Sequence, residues 1–146
     1  MGNKLEAKIQ LINDGVKFRS VVEGKPEIIT DYIPPFGDGL SVLPLELFLV
    51  SLATCVGGAV SPLLKKMRKQ VGDLKIDVVG TRRTEHPTCF EEITLKIVLI
   101  STDATAEDLK KVMELSEAQI CPVWAMIKGN VKVNYELSVI RQIAQL

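Results

Sequence analysis

The chain has 146 residues, 47% of them apolar and 25% charged, which suits one domain of ordinary size. Eighteen basic side chains balance eighteen acidic ones, which excludes intrinsic disorder and a nucleic-acid binder that works by bulk charge. Three cysteines and one histidine are too few for a disulfide-stapled secreted scaffold, so reduced thiols are expected.

From the N-terminus, Leu5, Ala7, Ile9 and Leu11 alternate with Lys4, Glu6, Lys8 and Gln10, the period of a half-buried strand. Residues 1–11 hold no uninterrupted apolar run, so no secretory leader is expected and the protein is read as cytoplasmic. After the turn Asn13-Asp14-Gly15, Val16, Phe18 and Val22 share a face opposite Lys17, Arg19 and Glu23. Gly24-Lys25 then turns the chain into a third short strand, Glu27 to Tyr32. Such turns join antiparallel neighbours. Residues 33–43, with two prolines and two glycines, read as a loop suited to a substrate-facing wall.

A helix is predicted from Pro44, a residue favoured at the first helical position, to about Gln70, kinked or divided at Pro62. Leu47 to Leu64 are eighteen consecutive uncharged residues, followed by Lys65, Lys66, Arg68 and Lys69. Eighteen is the lower limit for a membrane-spanning helix. Ser51, Thr54, Gly57, Gly58, Ser61 and Pro62 within the run, and Glu46 before it, favour instead the buried axis of a core and no membrane partner.

Leu74, Ile76 and Val78 next alternate with Asp73, Lys75 and Asp77, and a turn at His86-Pro87 leads to Ile93, Leu95, Ile97 and Leu99. Thr105-Ala106-Glu107-Asp108 reads as a capping box ahead of a helix whose apolar side is Leu109, Val112, Met113 and Leu115. Cys121-Pro122 opens a short helix ending at Gly129, and Val131, Val133, Tyr135, Leu137 and Val139 alternate as the last strand. The order βββ-α-ββ-αα-β, with hairpins interrupted by helices, predicts an α+β fold of antiparallel sheets in a single domain, residues 1–146. One sheet covers one side of a helix that is apolar all round, so a homodimer is expected to cover the rest.

Cys55 stands mid-helix among Val50, Ala53 and Val56, where a free cysteine reads as a small buried hydrophobe. Cys121 directly precedes Pro122 and is the expected N-cap of its helix, where unpaired N–H groups and the helix dipole lower a thiol's pKa. Residue types leave two inert thiols and a redox pair both open, with the inert pair the simpler. Cys89 has no such features. The cysteines and His86 lack metal-site spacing, and there is no Gly-rich phosphate loop, nucleophile elbow or C-x-x-C pair, so no metal or other cofactor is expected.

The segment Pro44-Leu-Glu-Leu-Phe-Leu-Val-Ser-Leu-Ala-Thr-Cys55 resembles the first cysteine motif of the OsmC/Ohr family, the osmotically inducible protein C and organic hydroperoxide resistance proteins. Cys121-Pro-Val-Trp-Ala-Met-Ile-Lys-Gly-Asn-Val-Lys-Val133 resembles the second. Lys65-Lys66-Met67-Arg68, and His86-Pro87 ahead of Phe90, look like the broader OsmC-like branch, and the likeness covers nearly the whole chain. The resemblance implies an intertwined homodimer with long central helices enclosed by sheets from both subunits. It also implies reduction of organic (alkyl or lipid) hydroperoxides without metal or flavin.

By the same resemblance, Cys55 is the peroxidatic thiolate and Cys121 the resolving thiol, the two ending in a disulfide that an external dithiol reduces. The helix-start argument taken alone assigns the two roles in reverse. Arg19 falls in the region of a family arginine that, with a glutamate, orients and activates the thiol. In the organic hydroperoxide resistance branch that glutamate directly follows the motif's proline. Here Leu45 follows it and Glu46 comes one later. Nine residues of straight helix then turn Glu46 about 180° away from Cys55. The lost glutamate favours an alternative of another class, a non-catalytic dimer on the same fold that binds a small ligand or senses redox state. Retention of both cysteines favours the enzyme.

Overall fold

Alternation near the N-terminus closes into a three-stranded antiparallel sheet of β1 (Lys8–Leu11), β2 (Phe18–Val21) and β3 (Ile28–Thr30), in that order. The computed structural model describes residues 2–143 and divides the chain after Phe48 into two units. In the first, Asn13 Oδ1 accepts the N–H groups of Gly15 at 3.0 Å and Lys17 at 3.1 Å. This side-chain turn sets Lys8 opposite Val21 and Leu11 opposite Phe18. Gly24, at φ +74°, makes the second turn in a region that side chains disfavour. β1 starts at Lys8 rather than Leu5, because β2 ends at Val21 and leaves the earlier residues no strand to pair with.

The loop after β3 is folded around Asp31, which is buried. Its carboxylate accepts the N–H groups of Tyr32 at 2.8 Å and Asp38 at 3.2 Å, with Lys17 Nζ 3.9 Å away. A buried charge held in this way is satisfied by hydrogen bonds and a counter-charge. Gly37 lies so close that a Cβ there would run into the Tyr32 carbonyl and the Asp31 carboxylate.

Helix α1 (Pro44–Lys66) starts in the first unit and continues through the second. It runs through Pro62 as one helix, so the division that the sequence offers there as the alternative to a kink does not occur. By length and composition α1 is apolar enough to cross a membrane. Its face of Leu52, Ala53, Val56, Ala59, Val60 and Leu64 is instead packed in the core of the second unit. Val50, on the same helix, is half exposed.

The second unit holds a sheet of β4 (Asp73–Arg82), β5 (Phe90–Ser101) and β6 (Lys132–Arg141), with β5 in the centre. β4 and β5 form the expected hairpin, Asp73 opposite Ile100 and Gly80 opposite Ile93. β6 departs from the antiparallel expectation: it pairs with β5 in parallel, from Glu92–Lys132 to Ser101–Arg141. Alternation sets which face a residue takes and says nothing of strand direction. Ile93, Leu95, Ile97 and Leu99 of β5 are the buried centre of this unit. A Cβ on Gly57 of α1 would stand 3.2 Å from Ile76 Cδ1, a close approach of helix to β4.

The return from β5 to β6 runs through α2 (Ala106–Leu115), a π-helical turn (Ser116–Ile120) and α3 (Pro122–Ile127). The α+β order is as the sequence predicts, and so is the capping box. Asp108 N–H donates to Thr105 Oγ1 at 3.2 Å, and Thr105 N–H to Asp108 Oδ2 at 2.8 Å. That backbone bond from Thr105 is the main cause holding the Asp108 carboxyl below the usual carboxylate range. Its contribution to stability is present above the ordinary carboxylate pKa and is lost as pH falls through the depressed one.

Thr105→Ala should cost about 1 kcal/mol of stability at neutral pH. Urea unfolding checks this, with Thr105→Ser close to the parent and the deficit shrinking in acid as Asp108 protonates.

Candidate functional site

Two elements of the second unit bring two sulfurs together. Cys55 is half-buried on α1, between the core residues Leu52 and Val56. Cys121 ends the π-helical turn, its N–H donating to the Ser116 carbonyl at 2.9 Å, and is 2% exposed. As expected it is the N-cap of α3, with Pro122 in the first turn and Cys121 Sγ accepting the Trp124 N–H at 3.5 Å. The Cys121 thiol donates to Cys55 Sγ at 3.0 Å, and the two remain unbonded thiols. A disulfide needs about 2.05 Å, so roughly one ångström of travel separates the pair from a bond.

The expectation that a helix start acidifies Cys121 is overturned. Burial pushes its thiol up to about 11, donation to Cys55 pushes the same way, and the Trp124 and Val123 N–H groups offset only part of it. α3 is six residues long, too short to build much of a dipole. Cys121 is therefore protonated at neutral pH and has a hydrogen to give to the facing sulfur.

Arg19 and Glu46 have partners within the first unit. Arg19 Nε lies 3.1 Å from Glu27 Oε2 in the first unit, both side chains about half exposed. Glu46 Oε1 accepts the Leu43 N–H at 2.8 Å, the carboxylate half of a capping box at the start of α1. Cys89 is exposed, with its N–H on the Pro87 carbonyl and its own carbonyl taken by Arg83. His86 shares that exposed turn. Among the described residues no group of three or more His, Cys, Asp or Glu is gathered to hold a metal.

Two residues enter the site that the sequence does not single out. Trp124, buried, gives its backbone N–H to Cys121 Sγ and meets Tyr135 edge-on, ring centres 6.1 Å apart. Burial first, then the charges of Glu117 and Glu114, raises the Tyr135 hydroxyl above its ordinary pKa. Trp124 stands three residues after the N-cap, at the position whose N–H a cap accepts, and that spacing was the available signal. Ser116 gives no signal in the sequence.

The family described as OsmC-like protein matches residues 37–136, a span that contains both Cys55 and Cys121. Protein YhfA of Escherichia coli strain K12 is 26% identical over 97 residues, 66% of this chain and 72% of that protein. An organic hydroperoxide resistance protein-like chain of Staphylococcus aureus strain USA300 is 29% identical over 117 residues, 75% of this chain and 79% of the relative. The crystal structure of a hypothetical protein from Aquifex aeolicus VF5 superposes with a TM-score of 0.85 at 30% identity, covering 97% of this chain and 100% of that one.

The raised thiol has a direct check. In a Cys55→Ser, Cys89→Ser variant, ultraviolet thiolate absorbance should give Cys121 a midpoint above the ordinary ~8.5 of a free thiol, because burial remains after the Cys55 contact is gone. A midpoint below the ordinary value would reinstate the helix-start argument.

Proposed function

The chain belongs to the OsmC-like protein family, and from that premise we propose that it is a thiol peroxidase acting on organic hydroperoxides. The observation that carries the reading is the Cys55–Cys121 contact at 3.0 Å in a largely apolar setting. In the first step the Cys55 thiolate attacks the terminal peroxide oxygen. The O–O bond breaks, the alkoxide takes a proton and leaves as an alcohol, and Cys55 becomes a sulfenic acid. In the second, Cys121 sulfur attacks Cys55 sulfur, the disulfide forms, and the displaced hydroxyl leaves as water with the Cys121 proton. An external dithiol then gives up two electrons and two protons to return both thiols.

Cys55 is the better placed of the two for first attack. It is half-buried rather than sealed, and its sulfur faces the Cys121 thiol at 3.0 Å. Cys121, buried and already 3.0 Å from the Cys55 sulfur, is placed for the second step, in which its thiol must give up its proton. The name of the Staphylococcus aureus relative, organic hydroperoxide resistance protein-like, agrees with this substrate class. Arg19 and Glu46 are assigned no step that their pairings with Glu27 and the Leu43 N–H do not already explain. The half-covered α1, with Val50 49% exposed, supports a homodimer that buries its outer face.

Rapid mixing of thiol loss in single mutants tests the division of roles. Cys121→Ser should reduce one equivalent of alkyl hydroperoxide and stop as a trappable sulfenic acid, whereas Cys55→Ser should lose even the first turnover. In the parent, one equivalent should consume two thiols and join Cys55 to Cys121 with Cys89 free, and hydrogen peroxide should react more slowly. A disulfide that includes Cys89, or a fast first turnover in Cys55→Ser, overturns the reading. Light scattering should return twice the chain mass; a stable monomer at micromolar concentration removes the dimer.

A further inference from the structure

The turn that delivers Cys121 carries an unsatisfied group. Ser116 is fully buried, and its hydroxyl has no hydrogen-bond partner among the described residues. A serine at a helix end ordinarily returns its hydroxyl to the carbonyl three or four residues back. Here those two carbonyls, Met113 and Val112, both receive the Ser116 N–H. The Ser116 carbonyl in turn takes the Cys121 N–H in the wide five-residue ring of the π-helical turn. A buried hydroxyl without a partner is disfavoured, and single π-helical turns gather at functional sites. Both features lie one turn from the sulfur that must move.

We propose that Ser116 is a positioning residue for disulfide formation, its hydroxyl unpartnered in the dithiol form and bonded to the Val112 or Met113 carbonyl once Cys121 closes on Cys55. The inference rests on Cys55 and Cys121 being a redox pair. When the sulfurs close from 3.0 Å to about 2.05 Å, the movement of Cys121 passes to Ser116 through their backbone hydrogen bond. Ser116 shifts, and its hydroxyl comes within reach of one of the two carbonyls, whose second lone pair accepts it. The turn thereby favours the disulfide over the dithiol.

The test uses no peroxide. In the Cys89→Ser background, the protein is equilibrated with mixtures of reduced and oxidised dithiothreitol. The protein pair gives two electrons and two protons to the reagent's disulfide, and alkylation with mass measurement counts the product. Ser116→Ala should lower the disulfide-to-dithiol equilibrium constant about three- to tenfold, the loss of one ordinary hydrogen bond in one state only. Its melting temperature should be unchanged or raised in the dithiol form and lowered in the disulfide form. A disulfide that forms with an unchanged constant, or equal stability changes in the two forms, overturns the proposal alone, and a water held by Ser116 in both states would give that result. A pair that forms no disulfide at any ratio overturns the redox reading and this one with it.

Discussion

The parallel pairing of β5 with β6 is the constraint on which the site depends. A hairpin cannot join parallel neighbours, so the chain leaving Ser101 must travel the length of the sheet before entering again at Lys132. α2, the π-helical turn and α3 fill that return, and Cys121 is the junction between the last two. Had β6 followed β5 by a hairpin, no segment would come back over α1 to meet Cys55. The same pairing puts β5 in the centre of its sheet, which is why Ile93, Leu95, Ile97 and Leu99 form the buried floor of the unit.

Two physical effects compete at Cys121. Its place before a proline at a helix start exposes the sulfur to free N–H groups, and the Trp124 N–H does reach it. Burial opposes this and wins, because the Trp124 and Val123 N–H groups return only part of the hydration that a thiolate loses. N-caps acidify cysteines where the thiolate remains partly hydrated. Buried, and at the start of a helix of only six residues, Cys121 does not meet that condition.

Much of this was legible in the sequence, for reasons that differ from element to element. The capping box at Thr105 is a local device, complete within four residues, and it reads true. Strand faces follow from alternation, so the buried side of β5 was fixed before its partners were known. Strand direction is set by where the intervening chain packs, so the parallel β6 was not readable. Pro62 marks a weak point of α1 without saying whether the helix ends there, since packing can carry a helix past one lost hydrogen bond. The two cysteine motifs pointed to one another through family likeness alone; 66 residues separate them, beyond any periodic signal. Ser116 was invisible, since an unpaired hydroxyl is a property of packing.

Glu46 and Arg19 each have a partner within the first unit, the Leu43 N–H for one and Glu27 for the other. A carboxylate at the third position of a helix serves the backbone whatever chemistry lies further along, and Glu46 does so at Leu43. The donor that faces Cys55 in its own unit is the Cys121 thiol. An S–H is a weak donor, but this one has a second consequence. Both its bond to Cys55 and the Cys55 charge raise the Cys121 pKa, after burial. In the proposed cycle, oxidation to a neutral sulfenic acid removes that charge and disturbs that bond. Burial, the largest cause of the raised pKa, still acts after the first step, so the second step must take the Cys121 proton as its sulfur attacks. The contact that raises this pKa is thus also the one that sets the two sulfurs about an ångström from a bond.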